Sequence, residues 1–180
     1  MSRRNGLPVL LAAGLVAGTG IAGGGLAAGG TAGAASKGPS TLPVTSFTST
    51  FKMMTHLKSL AAAGKGKVAV ILPDTTSSTR YVEFDAPLLS RAFSRAGLKP
   101  SQYIIQNAQG SDTTALTDAQ TDITNGATVL LVDPKDSGVG GSIEKYAKSH
   151  GVAVIDYDRL TLGGSRAYYV SFNNVEVGKL

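Results

Sequence analysis

Asp158-Arg159, Arg80-Tyr81, Asp133 and Asn173 are the residues of this chain whose types best suit recognition chemistry. Carboxylates accept hydrogen bonds from hydroxyls, and arginine donates to hydroxyl or ring oxygens. Asparagine does both, and an aromatic face can stack on C–H groups. Such a set suits a neutral polyhydroxyl ligand. Each element also has a plainer reading. Asp158-Arg159 can be a solvated turn, and Asp133 before Pro134 can be a helix cap. The serines and threonines of Pro73–Tyr81 can cap and turn the chain.

Other chemistries find little support. The loop Asp74-Thr75-Thr76-Ser77-Ser78-Thr79 has no glycine, so it lacks the close backbone approach of a dinucleotide loop. No Gly-Lys-Ser/Thr run is present. A hydroxyl-rich loop at a helix start could still cradle an FMN phosphate, as in flavodoxin-like proteins. With no cysteine, disulfides, thiolate metal sites and a thiol nucleophile are excluded. Asp156 and Asp158 share one short loop, which gives no opposed carboxylate pair across a substrate. No serine or threonine near the other candidates has a neighbouring base. Lys and Arg number 17 against 12 Asp and Glu, but Arg3 and Arg4 at the N-terminus supply two of them. No basic stripe with interleaved aromatics marks a nucleic-acid surface. The residues predict a binding protein without cofactor or metal, not an enzyme.

These residues are far apart in sequence, so the fold must gather them. Val68-Ala69-Val70-Ile71-Leu72 is a continuous apolar run, the pattern of a strand buried on both faces. Tyr103-Ile104-Ile105, Val129–Val132, Val152–Ile155 and Tyr168–Val170 predict four more strands. Between them, Phe84, Leu88, Leu89, Ala92, Phe93 and Ala96 repeat with helical period, with Pro87 marking a kink or a start after Asp85. A second helix is predicted over 112–125 and a third around Ile143, Tyr146 and Ala147. Gly97, Gly126 and Gly151 stop the three. This alternation is that of an α/β fold with a parallel five-stranded sheet and helices on both faces. Parallel strands put all their C-terminal ends on one edge, where ligands bind near the switch in strand order. The candidate residues all follow strands.

Ahead of this, Arg3 and Arg4 precede an apolar run from Leu7 that closes in Ala32-Gly33-Ala34. That predicts an export signal over 1–34, cut after Ala34. Its glycines, from Gly14 to Gly33, weigh against a spanning anchor. Ser2–Leu7 resembles a twin-arginine signal, with Gly6 where an aromatic is usual. Without cysteine there is no lipoprotein anchor. Residues 35–66 predict a linker and a lead-in helix, with Phe47, Phe51, Met54, Leu57 and Leu60 on one face. Residues 67–180 carry the predicted strands and helices.

Gly126–Pro134 and the run from Gly151 to Leu180, with Tyr157-Asp158-Arg159 and Ser171-Phe172-Asn173-Asn174, resemble the sugar-binding proteins of ABC importers. The similarity is greatest to the xylose-type group within the ribose-binding superfamily, and it covers about residues 67–180. It implies the N-terminal lobe of a type I periplasmic-binding-protein fold, in a chain stopping where a second lobe should follow. It also implies sugar contacts from Arg80, Tyr81, Asp133, Asp158, Arg159 and Asn173, a pentose such as xylose as ligand, and a membrane permease as partner. Asp133 and Asn173 depart from the family's usual Asn and Asp. The inducer-binding domain of LacI-type transcription regulators shares this fold by resemblance, but such a regulator begins with a helix-turn-helix rather than an export signal.

Overall fold

The computed structural model describes residues 42–179, so the expected export signal and the first residues of the linker lie outside the described residues. No described helix is long and apolar enough to cross a membrane.

Five strands form one sheet in the order β2-β1-β3-β4-β5: β1 is Lys67–Leu72, β2 Tyr103–Asn107, β3 Ala127–Val132, β4 Ala153–Tyr157 and β5 Tyr168–Val170. Every pairing is parallel. Successive side chains of a strand point to opposite faces, so a strand covered on both sides must be apolar throughout. β1 shows this. Val70 and Leu72 pack with Leu89, Phe93, Ile105 and Leu131, whereas Ala69 and Ile71 pack with Ala115, Ala119, Leu130 and Ile143. Ile71, Leu72 and Leu130 are fully buried. Each such side chain contributes about 1.5–3 kcal/mol of hydrophobic stabilisation.

Among the described residues the α-helices are α1 Lys58–Ala63, α2 Ala86–Ala96, α3 Asp112–Thr124, α4 Ser137–Ser149 and α5 Asn174–Val177. α2 covers one face of the sheet, and α3 and α4 the other. Ser111 caps α3 through its hydroxyl, and Asp136 caps α4 through its carboxylate. Gly97 ends α2 in the left-handed region at φ 97°, where its N–H and that of Leu98 satisfy the last carbonyls.

Two sequence expectations need correction. The lead-in segment is not one helix. It breaks into short 3-10 turns at Val44–Ser46 and Met53–Leu57 before α1, because Phe51 adopts a left-handed backbone at φ 57°. Phe84 and Leu88 do not face the core; they are 55% and 41% exposed. The stretch Tyr81–Asp85 is a π turn, which rotates the phase before α2 begins with Pro87 in its first turn.

The chain passes from β1 outward to β2, then back across β1 to β3. The order therefore reverses between β1 and β3, and the C-terminal ends of those strands flank the switch point.

Candidate functional site

The loop after β1 is organised by its own first polar residue. Asp74 is buried and accepts from Thr76 N at 2.9 Å, Ser77 N at 2.6 Å and Ser77 Oγ at 2.6 Å. The Ser77 hydroxyl and amide bonds hold its carboxyl below the usual range. An anion placed among these donors would meet the Asp74 carboxylate. This opposes the phosphate-cradle reading of the loop.

The chain then enters the π turn through Arg80. That turn brings Asp85 back to it, with Nε to Oδ2 at 2.9 Å. Arg80 Nη2 reaches Asp158 Oδ2 at 2.7 Å and lies 3.8 Å from Asp133 Oδ2. Its guanidinium is 4.9 Å from the Tyr81 ring centre and 5.3 Å from that of Phe172. Burial opposes its charge. The bond to Asp158 and the attraction of Asp85 outweigh that and hold its pKa above the ordinary arginine value.

β4 ends at Tyr157, whose hydroxyl donates to Asp85 Oδ1 at 3.1 Å. Asp158 then takes a left-handed backbone at φ 65°, a conformation aspartate tolerates better than most residues. Its N–H donates to Val170 O, and its carbonyl accepts from Tyr169 Oη and Ser171 Oγ. Next to it, Arg159 Nη2 donates to Tyr81 Oη at 3.0 Å, and Nε lies 3.7 Å from Asp133 Oδ1.

Asp133, directly after β3, sits beneath both guanidiniums. Its side chain is fully buried, and among the described residues neither carboxylate oxygen has a hydrogen-bond partner. Burial pushes its pKa up to about 7, against the pull of Arg159 and Arg80. Burial and the nearby Asp133 likewise raise the Tyr81 phenol. Five of the six residues marked by the sequence thus meet at one place: Arg80, Tyr81, Asp133, Asp158 and Arg159. The groups reachable from outside are Arg159, whose side chain is 36% exposed, then Arg80 and Asp158.

Asn173 is placed otherwise. It is exposed, and its Oδ1 accepts from Glu176 N, capping α5. The sequence reading also misses two members of the cluster. Asp85 stands at a helix start, and its contact depends on the π turn. Phe172 lies beside the residue that reading selects, and being aromatic next to a polar pair is its only signal. At the opposite edge of the sheet, a groove of about 340 Å³ lies between Lys67, Tyr103, Asp122 and Ala127. It is remote from the cluster.

Residues 58–180 match the model of the periplasmic binding protein domain. The D-xylose-binding periplasmic protein of Escherichia coli is 31% identical over 80 residues, covering 44% of this chain and 24% of that protein. The multiple sugar-binding periplasmic protein SbpA of Azospirillum brasilense is 30% identical over 145 residues, 76% of this chain and 39% of that one. The chain thus matches less than half the length of these relatives. Among solved structures, a carbohydrate transporter solute binding protein from Chloroflexus aurantiacus in complex with D-glucose superposes with a TM-score of 0.56 at 29% identity, over 62% of this chain and 32% of that one. A Caulobacter myo-inositol binding protein bound to myo-inositol gives 0.54 at 29%, over 63% and 37%. The parallel sheet, the charged cluster at its switch point and these likenesses agree: the chain belongs to the periplasmic binding protein domain family.

Proposed function

We propose that this chain is the sugar-capturing lobe of an exported receptor that delivers a neutral sugar, a pentose such as xylose, to the membrane permease of an ABC importer. One observation carries the reading. At the switch point, a partly exposed Asp158-Arg159 pair is backed by the buried Asp133 and tied to Arg80. Arg159 can donate to ring and hydroxyl oxygens and Asp158 can accept from hydroxyls, while the other charges hold the pair in place. Arg80 and Arg159 lie among Asp85, Asp133 and Asp158, so no surplus positive charge selects an anionic ligand. The cluster holds two cations and three carboxylates, which suits binding without covalent chemistry. In this reading residues 1–34 direct export, 35–66 lead in, and 67–180 form the lobe. The relatives support it by their names: they are periplasmic and bind xylose or several sugars, and the structural neighbours hold glucose and inositol.

The test is a chemical-shift titration of the ¹⁵N-labelled chain with D-xylose, D-glucose, myo-inositol and D-glucuronate. Shifts are expected at the Asp158 and Arg159 amides with the neutral ligands, xylose strongest. One lobe covers one side of a ligand, so affinity is expected near ~1 mM. Shifts only with glucuronate, or at none of these residues, overturn the reading.

A further inference from the structure

Parallel neighbours are usually joined by a crossover helix that satisfies its own backbone. The connection from β4 to β5, residues 158–167, has no helix. In its middle, at Thr161 and Leu162, the backbone groups are held by side chains. Asp156, on β4 and buried, accepts from Thr161 N through Oδ2 at 2.7 Å. Arg166 Nη1 donates to Thr161 O at 2.7 Å, and its Nε lies 3.7 Å from the same Asp156 oxygen. Both backbone groups of Thr161 are therefore gripped by one ion pair. Ser137 Oγ, at the start of α4, accepts from Leu162 N at 2.9 Å. The Glu144 carboxyl, buried on α4, lies where a side chain at residue 164 would stand, so Gly164 lets the loop pack closely on α4.

This grip lies two residues beyond Arg159. On the other side, Asp158 is fixed to β5 and to Ser171. Arg159 and Leu160 are thus a short span between two anchors. From this geometry we propose that Arg166, with Asp156, is a positioning residue for the ligand pair: it fixes where Arg159 meets Tyr81 and Asp133. The proposal rests on the sugar-binding reading for its consequence in affinity, but not for the position of Arg159.

Arg166→Lys is the informative variant. Lysine keeps a cation beside Asp156 but lacks the planar fork that holds Asp156 and Thr161 O together. In the ligand-free chain, the Arg159 Nε–Hε resonance is expected to move to the position of a solvent-exposed arginine. Amides at 160–165 are expected to exchange about tenfold faster. Affinity for D-xylose is expected to fall about fivefold, the loss of one hydrogen bond's orientation. An unmoved Arg159 resonance overturns the proposal, whatever the affinity does. If the lysine variant does not fold, Asp156→Asn, which keeps the shape but removes the charge that holds Arg166, must move the same resonances the same way; if it does not, the proposal falls. Should the wild-type chain bind none of the sugars while the Arg159 resonance moves, the sugar reading fails and the positioning role stands.

Discussion

Arg80 Nη2 lies 2.7 Å from Asp158 Oδ2, joining the segment after β1 to the segment after β4 across 78 residues of sequence. Through Nε the same guanidinium holds Asp85. The Arg159 side chain, by contrast, donates one hydrogen bond, to Tyr81, and stands 3.7 Å from Asp133. Two arginines on one edge therefore have different duties. Arg80 is a tie within the lobe, and Arg159 is the more exposed and less committed donor.

The first expectation follows from Arg80. Arg80→Ala leaves Asp85, Asp158 and the buried Asp133 without their shared cation. Breaking a buried pair from one side costs about 3–5 kcal/mol, and the partial exposure of Arg80 lowers this to roughly 2–4. Urea unfolding should show the midpoint falling with the m-value kept. A loss below about 0.5 kcal/mol returns Arg80 to an ordinary surface arginine.

For Arg159→Ala the effect should lie in binding. A hydrogen bond from a charged donor to sugar oxygens is worth about 1.5–3 kcal/mol, so affinity should fall roughly tenfold or more. Stability should change by less than about 1 kcal/mol, since the residue is on a loop. Asp158→Asn is the companion, keeping shape while losing the charged acceptor. Unchanged affinity in calorimetry would make Arg159 a solvated turn residue.

Much of this arrangement is legible in the sequence. Val68–Leu72 and Val129–Val132 have no polar face, so they can only be interior strands. Once the strands are parallel, Arg80, Asp133 and Asp158 must share an edge. The limits of that reading are local and backbone-born. Periodicity assumes 3.6 residues per turn, and the π turn at Tyr81–Asp85 breaks that phase. It turns Phe84 and Leu88 outward and Asp85 inward. The stripe from Phe47 to Leu60 predicts a helix, but Phe51 sits at positive φ, which no hydrophobic pattern reports. Spacing after a strand places Asn173 on the right edge, yet cannot say that its side chain closes on its own helix.

Gly140 gives a test of packing by sign. It lies within α4, where alanine is favoured over glycine by about 1 kcal/mol. A Cβ there would meet the side chain of the fully buried Thr161 and come within 3.1 Å of Pro134 Cβ. Thr161 is β-branched, and its backbone is fixed on both sides, so it cannot yield easily. Overpacking of about 1–3 kcal/mol should outweigh the helical gain, and Gly140→Ala should lower the melting temperature. A rise would mean that the contact between α4 and the loop is loose.

Export is open to direct measurement. Arg3, Arg4, the apolar run and Ala32-Gly33-Ala34 set the expected cut. Mass spectrometry of protein from the native host should find a mature start near Ala35. Intact Met1 or Ser2 on a soluble cytosolic form would defeat it.

Asp133 should make stability and binding respond in opposite directions. Burial moves its folded pKa from an ordinary 3.8 up to about 7. Below about pH 4 both folded and unfolded chains hold the proton, and the group contributes no difference. Between about 4 and 7 the unfolded chain gives up its proton while the folded chain keeps it. The folded state then binds more protons, so stability falls as pH rises, and above about 7 the loss is complete. Asp122, pushed up to about 6 by burial and Asp118, adds a fall of the same sign, present equally in wild type and variant. Asp133→Asn keeps the shape and removes the titration. The stability of the variant minus that of the wild type should therefore climb between pH 4 and 7, by at most about 1.4 kcal/mol per pH unit, and level off above 7. The same change takes from Arg159 the carboxylate 3.7 Å from its Nε. Sugar affinity at pH 8 should then drop severalfold although the fold is firmer. Chemical denaturation across pH 4–8, paired with titration at pH 8, reads both. A flat difference curve would show that Asp133 ionises as an exposed aspartate does, and that the two arginines compensate its burial in full.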